Sequence, residues 1–191
     1  METKHSQAPV EFVERYYLSD VAERDSPESK WSQAWLGEVR GRRVLSVGCG
    51  PTLYDDIQFF GKVPNVVVGI DFNEHNLEFL RRSVQSELTK ARKVVENHGT
   101  SVSLVHGDVR KARREFVGQF DVLYAGAVLG MYEDHELKPL LRLLRTYLAP
   151  EGRIVDIDWT DCRLPCDLYN ERLGYGWYSK AGPGIARIGG L

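Results

Sequence analysis

The 191-residue chain is poor in the residues that mark a disulfide-stapled, membrane-embedded or nucleic-acid-binding protein. It has three cysteines, Cys49, Cys162 and Cys166. An odd count argues against a disulfide framework. Cys162 and Cys166 are spaced CxxxC, with no second Cys or His pair to complete a zinc tetrahedron. The amino-terminal METKHSQAPVEF lacks the apolar core of a secretory signal. No apolar run approaches the ~18 residues that span a bilayer. There is no basic excess either. The formal net charge is −2, so neither nucleic acid nor a membrane surface is an expected partner. One local basic cluster stands out, Arg110, Lys111, Arg113 and Arg114. Its plain reading is the solvated start of a helix. These absences make a reducing cytoplasm the expected location.

What is present fits one globular unit. Hydrophobic residues make up 42% and charged residues 27% of the chain, ordinary for a packed domain. Short β-branched runs alternate with longer helical stretches. Strands are expected at Arg43–Gly48, Asn65–Asp71, Ser101–His106, Phe120–Ala125 and Arg153–Trp159. Helices are expected at Thr52–Phe60 and His135–Leu148, the latter stopped by Pro150 and Gly152. Between Asn73 and His98, Leu77, Leu80, Val84, Leu88, Ala91 and Val95 recur every three or four residues. That period predicts one long amphipathic helix, with Gly99 as its stop. Strands apolar on both faces, separated by helices, imply an α/β fold with a parallel sheet covered on both sides. Ahead of the sheet, Val10–Arg40 reads as one or two helices, with Trp31 and Trp35 on one face. Residues 1–40 are therefore expected to form a helical cap or lid, and 41–191 the ligand-binding domain. The tail after Trp159 is short and carries Gly174, Gly176, Gly182, Gly184, Gly189 and Gly190. A further helix and a strand pair barely fit there, so the sheet is expected to be able to lack its closing hairpin.

The chemistry is concentrated at the ends of the predicted strands. Gly48-Cys49-Gly50 follows the first strand and precedes a helix. In open parallel sheets, ligands bind at that edge, and glycine lets backbone approach them closely. The loop is not GxGxxG, and no GK[ST] follows, so a pyrophosphate is not the expected ligand. Pro51 fits a first helical turn, where its missing N–H costs nothing. Asp71 ends the second strand, about 20 residues beyond the glycines, where a carboxylate can accept from both ribose hydroxyls. The other role open to Asp71 is to cap the next helix, a task for which Asn73 also qualifies. Asp108, in Gly107-Asp108-Val109 after the third strand, can accept from an adenine amino group or can serve a turn. Three such signals in order, each at a strand end, point to a nucleoside.

The pattern resembles the class I S-adenosylmethionine (SAM) dependent methyltransferases across roughly Tyr16–Trp159. Within them, Phe12-Val13-Glu14-Arg15-Tyr16-Tyr17, Gly48-Cys49-Gly50-Pro51-Thr52-Leu53-Tyr54 and Asp71-Phe72-Asn73-Glu74-His75-Asn76 are similar to the nicotinamide and phenylethanolamine N-methyltransferase group. That group carries paired tyrosines, a GxGPTxY loop, and an Asp followed five residues later by Asn. The resemblance implies a Rossmann-like sheet and SAM as cofactor. It implies that Tyr17 covers the methionine part and Tyr54 holds its carboxylate. It gives the ribose to Asp71 and Asn76, and the adenine to Asp108 and the Val109 backbone. Thr52, Phe72 and Gly126 complete the expected cofactor set. Two departures stand out. Phe12 replaces a hydroxyl-bearing tyrosine, and the region after Trp159 is unlike the group.

Acceptor-side candidates follow the fourth and fifth strands. They are Tyr124, Tyr132, Glu133, Asp134 and His135, then Asp156 and Asp158, which share one strand face. Tyr132, Asp158 and Tyr16 are the expected catalytic residues, with Asp158 suited to an ammonium group. Asp158 can equally be a salt-bridged or capping residue. The expected activity is methylation of a small molecule, an amine, by a monomer or homodimer. Two alternatives stay open: attack on the aminocarboxypropyl arm of SAM, releasing methylthioadenosine, and a SAM-binding module without chemistry.

Overall fold

The computed structural model describes residues 42–59, 64–84, 86–126, 128–129, 132, 134–157 and 185–188. The helical reading of Val10–Arg40, with the cap expected over 1–40, lies outside them. So do Tyr16, Tyr17, Glu133, Asp158 and Trp159.

The β-branched runs form the sheet. β1 (Arg43–Val47), β2 (Val66–Asp71), β3 (Ser101–His106), β4 (Phe120–Gly126) and β5 (Leu148–Ile157) are parallel, and β6 (Ile185–Ile188) runs antiparallel to β5. The order is β3-β2-β1-β4-β5-β6. The chain reverses direction across the sheet between β1 and β4, the place where open α/β sheets bind ligands. The tail thus contributes one closing strand among the described residues.

Period-two alternation sends successive side chains to opposite faces. Val44, Val67, Val122 and Tyr124 pack beneath α1 (Leu53–Phe59), α2 (Glu74–Arg82) and α3 (Ser86–Asn97). Leu45, Val47, Ile70, Leu123 and Ala125 pack beneath α4 (Asp134–Tyr147). Burial on both faces is why these strands read as continuous apolar runs. No helix among the described residues is long and apolar enough to cross a membrane.

Three expectations are corrected. The long helix predicted over Asn73–His98 is two helices, broken at Ser83, whose backbone is extended (φ −61°, ψ 136°). Val84, placed on the apolar face by its spacing, is 92% exposed. Leu77, Leu80, Leu88, Ala91 and Val95 are buried as expected. The break lets α3 pack against α1. It also frees carbonyls at the end of α2, and the Arg92 guanidinium reaches back from α3 to donate to that of Leu80.

The second correction concerns β5, which starts at Leu148 rather than Arg153. Phe120 pairs with Leu148 and Val122 with Arg153, so the residues between bulge outwards. Glu151 takes φ 64° in that bulge. The third concerns Pro51. Because α1 starts at Leu53, Pro51 stands before the helix and not in its first turn.

Gly69 in β2 is where the first face packs tightest. A Cβ there would stand 2.7 Å from Leu53 Cδ2 and 2.9 Å from Cys49 Sγ. Gly69→Ala should therefore destabilise the protein by about 1–3 kcal/mol through overpacking. Val84→Ser should change stability by less than ~0.5 kcal/mol. Urea unfolding of both variants checks this, and comparable losses would contradict the packing described.

Candidate cofactor-binding site

The strand ends converge on Asp71. Its side chain is buried, and it accepts three hydrogen bonds. The Gly50 amide donates to Oδ2 at 2.8 Å, the Asn76 side-chain amide to Oδ2 at 3.2 Å, and the Asn73 amide to Oδ1 at 2.7 Å. Asn73 is the N-cap of α2, and its side chain accepts from the His75 amide at 3.1 Å. Asn73 therefore fills the capping role that the sequence left open to Asp71.

The backbone around Asp71 adds two more ties. The Cys49 amide donates to Ile70 O at 3.1 Å, and the Gly107 amide donates to Asp71 O at 2.8 Å. One residue thus links the loops after β1, β2 and β3. The glycines make this geometry accessible, because Gly48 (φ 58°) and Gly50 (φ 55°) are both left-handed. A Cβ on Gly48 would come within 2.6 Å of Val128, so the loop after β4 closes against it. Among the described residues, a Cβ on Gly50 would meet only Gly48 O, at 4.0 Å.

The other predicted cofactor residues are distributed around this hub. The Cys49 thiol is buried, and burial, followed by the charges of Asp71 and Asp56, pushes its pKa well up. It is a packing group. Thr52 is buried at the start of α1, where its carbonyl accepts from the Asp56 amide. Phe72 is exposed beside Asp71, and its carbonyl contacts His106 Nε2 at 3.1 Å. His106 Nδ1 in turn lies 2.7 Å from Glu74. The Val109 side chain is anchored in the core. Gly126 closes β4, where a Cβ would strike the Tyr124 hydroxyl at 2.7 Å. Tyr54 packs beside the α1–α3 face, with the Arg92 guanidinium 5.2 Å from its ring centre. Burial raises the pKa of its hydroxyl.

Asp108 has a partner that sequence reasoning missed. Arg110 grips both carboxylate oxygens, with Nε at 3.0 Å from each and Nη2 2.8 Å from Oδ2. The Arg110 amide also donates to Oδ1 at 2.9 Å. Arg110 Nη1 reaches Glu136 at the start of α4 (3.3 Å), and its guanidinium lies 5.9 Å from the Tyr132 ring centre. Burial alone would raise the Asp108 pKa, but the Arg110 hydrogen bonds and charge outweigh it and hold the group below its ordinary value. Tyr132, half-buried, has its hydroxyl pKa pushed up chiefly by burial.

The basic cluster is therefore not a solvated helix start. Only Arg114–Phe116 forms a short 3₁₀ turn. Arg113 covers Gly107, donates from Nη2 to His106 O at 3.1 Å, and gives its backbone amide to the Tyr147 hydroxyl at 3.0 Å. The available signal was position: Arg110 lies two residues from a candidate ligand carboxylate. Among the described residues, no group of His, Cys, Asp and Glu could hold a metal ion.

The Asp71 hub yields a pH prediction. Burial is the largest influence on Asp71 and raises its pKa in spite of the hydrogen bonds. Its contribution to stability is thus full below the unfolded value of ~3.9 and is lost as pH rises through the raised folded value. Asp71→Asn abolishes that titration. The stability of the wild type relative to the variant, from urea unfolding between about pH 4 and 7, should be greatest at the acid end. A difference that does not vary with pH would refute the assignment.

The family model for the NNMT/PNMT/TEMT family matches residues 3–123. No curated protein sequence matches the chain. Among solved structures, a SAM-dependent methyltransferase from Aquifex aeolicus is similar, at 17% identity and TM-score 0.62, with 95% of this chain and 100% of that one covered. DhpI in its complex with SAH is similar at 16% identity and TM-score 0.58, over 95% of this chain and 78% of that one. A third likeness is to an S-adenosylmethionine-dependent methyltransferase from Mesorhizobium loti, at 22% identity and TM-score 0.50. It covers 70% of this chain, which spans about half the length of that protein (54%). At these identities the likeness is one of fold.

Proposed function

Because the chain belongs to the NNMT/PNMT/TEMT family of SAM-dependent methyltransferases, with SAM as its cofactor, we propose that it methylates a small molecule bearing an amine nitrogen. The observation that carries the reading is the Asp71–Asn76 pair locked onto the Gly48–Gly50 loop at the β1/β4 switch point.

The residues present fit the cofactor. Among the described residues, only Gly48 O comes within 4.0 Å of where a Gly50 side chain would start. Asp71 uses three of its roughly four lone-pair positions internally, which leaves one on Oδ1 for a ribose hydroxyl. The Asn76 amide oxygen, held only loosely by Asn73 at 3.5 Å, is the acceptor for the second hydroxyl. Asp108 is the acceptor for the adenine amino group, and the Val109 backbone lies beside it. Tyr17 and Tyr54 are assigned to the methionine end by resemblance to the family motif.

When bound, SAM supplies an electrophilic methyl carbon and a thioether leaving group. The chain's own part is to bind, align and dry the reactants. Alignment of this kind is worth on the order of 7–11 kcal/mol in well-oriented cases. A neutral amine needs its lone pair free and needs no strong base. Tyr132 suits such a site, because its raised pKa keeps it a neutral phenol that donates or accepts one hydrogen bond. Tyr16 and Asp158 remain assigned by sequence position, with Asp158 directly after the end of β5 to hold a substrate ammonium, which must give up a proton before its nitrogen can attack.

Incubation with SAM and a panel of small amines tests the reading. S-adenosylhomocysteine should accumulate only when an amine acceptor is added. Methylthioadenosine formed from SAM alone would transfer the assignment to attack on the aminocarboxypropyl arm. Asp71→Ala should weaken SAM binding about tenfold or more, the equivalent of ~1.4 kcal/mol. Asn76→Ala should weaken it less. Calorimetric titration of SAM reads both, and an unchanged affinity in Asp71→Ala rules out the ribose assignment.

A further inference from the structure

Arg110 brings three N–H donors to the Asp108 carboxylate. Its backbone amide lies 2.9 Å from Oδ1 and Nη2 lies 2.8 Å from Oδ2, while the single Nε hydrogen is shared, with Nε 3.0 Å from each oxygen. An ionised carboxylate offers roughly four acceptor positions, so about one stays open to a further donor. A planar fork spanning both oxygens fixes the plane of the carboxylate, and with it where the open position points.

The fork is anchored from outside its own loop. Nη1 lies 3.3 Å from Glu136 Oε1 at the start of α4, and the guanidinium lies 5.9 Å from the Tyr132 ring centre. The charges of Asp108 and Asp71 both bear on the Tyr132 hydroxyl, which sets the two carboxylates on one side of the site. Burial pushes the Asp108 pKa up, but the hydrogen bonds and charge of Arg110 outweigh it. At neutral pH the group is therefore a pure acceptor, suited to a neutral donor such as an exocyclic amino group.

We propose that Arg110 is a positioning residue for base recognition: it holds Asp108 in one orientation, with one acceptor position open to the adenine amino group, and so sets how much that group contributes to affinity. Arg110 does this from where it stands, without touching the nucleoside. The proposal rests on the assignment of Asp108 to adenine made above.

Calorimetric titration of the full chain with two ligands tests it. One is S-adenosylhomocysteine, and the other is its analogue with hydrogen in place of the adenine amino group. The ratio of the two affinities is the contribution of that group. Arg110→Ala should lower the ratio about two- to fivefold, the scale of a partly exposed ion pair, and leave the affinity for the analogue unchanged. Arg110→Lys should lower it too, because lysine keeps the charge but cannot span both oxygens. Asp108→Ala should lower the ratio at least as far, and Arg110→Ala should then add nothing. Equal weakening of both ligands by Arg110→Ala would make the arginine a support for the loop and overturn the proposal. An unchanged ratio in Arg110→Ala, where Asp108→Ala lowers it, would overturn the positioning role and keep the adenine assignment. A ratio unchanged by Asp108→Ala would remove the adenine assignment, and the proposal with it. A wild-type ratio in Arg110→Lys would leave charge rather than orientation as the cause, and would also overturn the proposal. Thermal unfolding of the unliganded variants confirms that each is folded. If Arg110→Ala does not fold, the ratio in Arg110→Lys decides alone.

Discussion

The Asp71 carboxylate is the constraint on which the site is built. It lies at the end of β2, buried, and its oxygens accept from backbone amides. Gly50 comes from the loop after β1, Asn73 from the start of α2, and the Asp71 carbonyl receives Gly107 from the loop after β3. Three loops are held in register by one residue. A buried carboxylate is costly unless its oxygens are satisfied, so the network fixes its own geometry. The burial that raises the Asp71 pKa also makes each of these bonds hard to exchange for water.

A second carboxylate behaves in the opposite way. Asp108 is more exposed and is held below its ordinary pKa by a guanidinium fork. One acidic residue is therefore held by two backbone amides and the Asn76 side chain, and the other by an arginine fork that also reaches α4. That helix packs on the opposite face of the sheet from α1, α2 and α3.

Much of this was legible in the sequence. β1, β2 and β4 lie within one residue of their predicted bounds, because strands buried on both faces leave unmistakable runs of Val, Ile and Leu. The glycine loop and Asp71 were singled out by their places at strand ends, Asn76 by resemblance to the family motif, and Asn73 was correctly seen as a cap candidate. The long helix failed because Leu80, Val84 and Leu88 keep the helical period across a break that contains no Gly or Pro. What stops α2 is long-range: α3 packs on α1, and Arg92 satisfies a freed carbonyl. Arg110 was missed for a different, local reason. A run of Arg and Lys looks the same whether it meets water or a carboxylate beside it in the same loop.

The sequence by itself determined the elements, their alternation and the order of the ligand carboxylates along the chain. These follow from local periodicity and from residue chemistry at strand ends. Tertiary structure alone decided the long-range partners gathered at those strand ends. Asp71 and Gly50 are 21 residues apart, and Arg110 and Glu136 are 26 apart. No periodicity links such pairs. They meet because parallel pairing of β1 with β2 and β4 brings the loop ends to one edge of the sheet. There, burial raises the pKa of Asp71, and an arginine lowers that of Asp108.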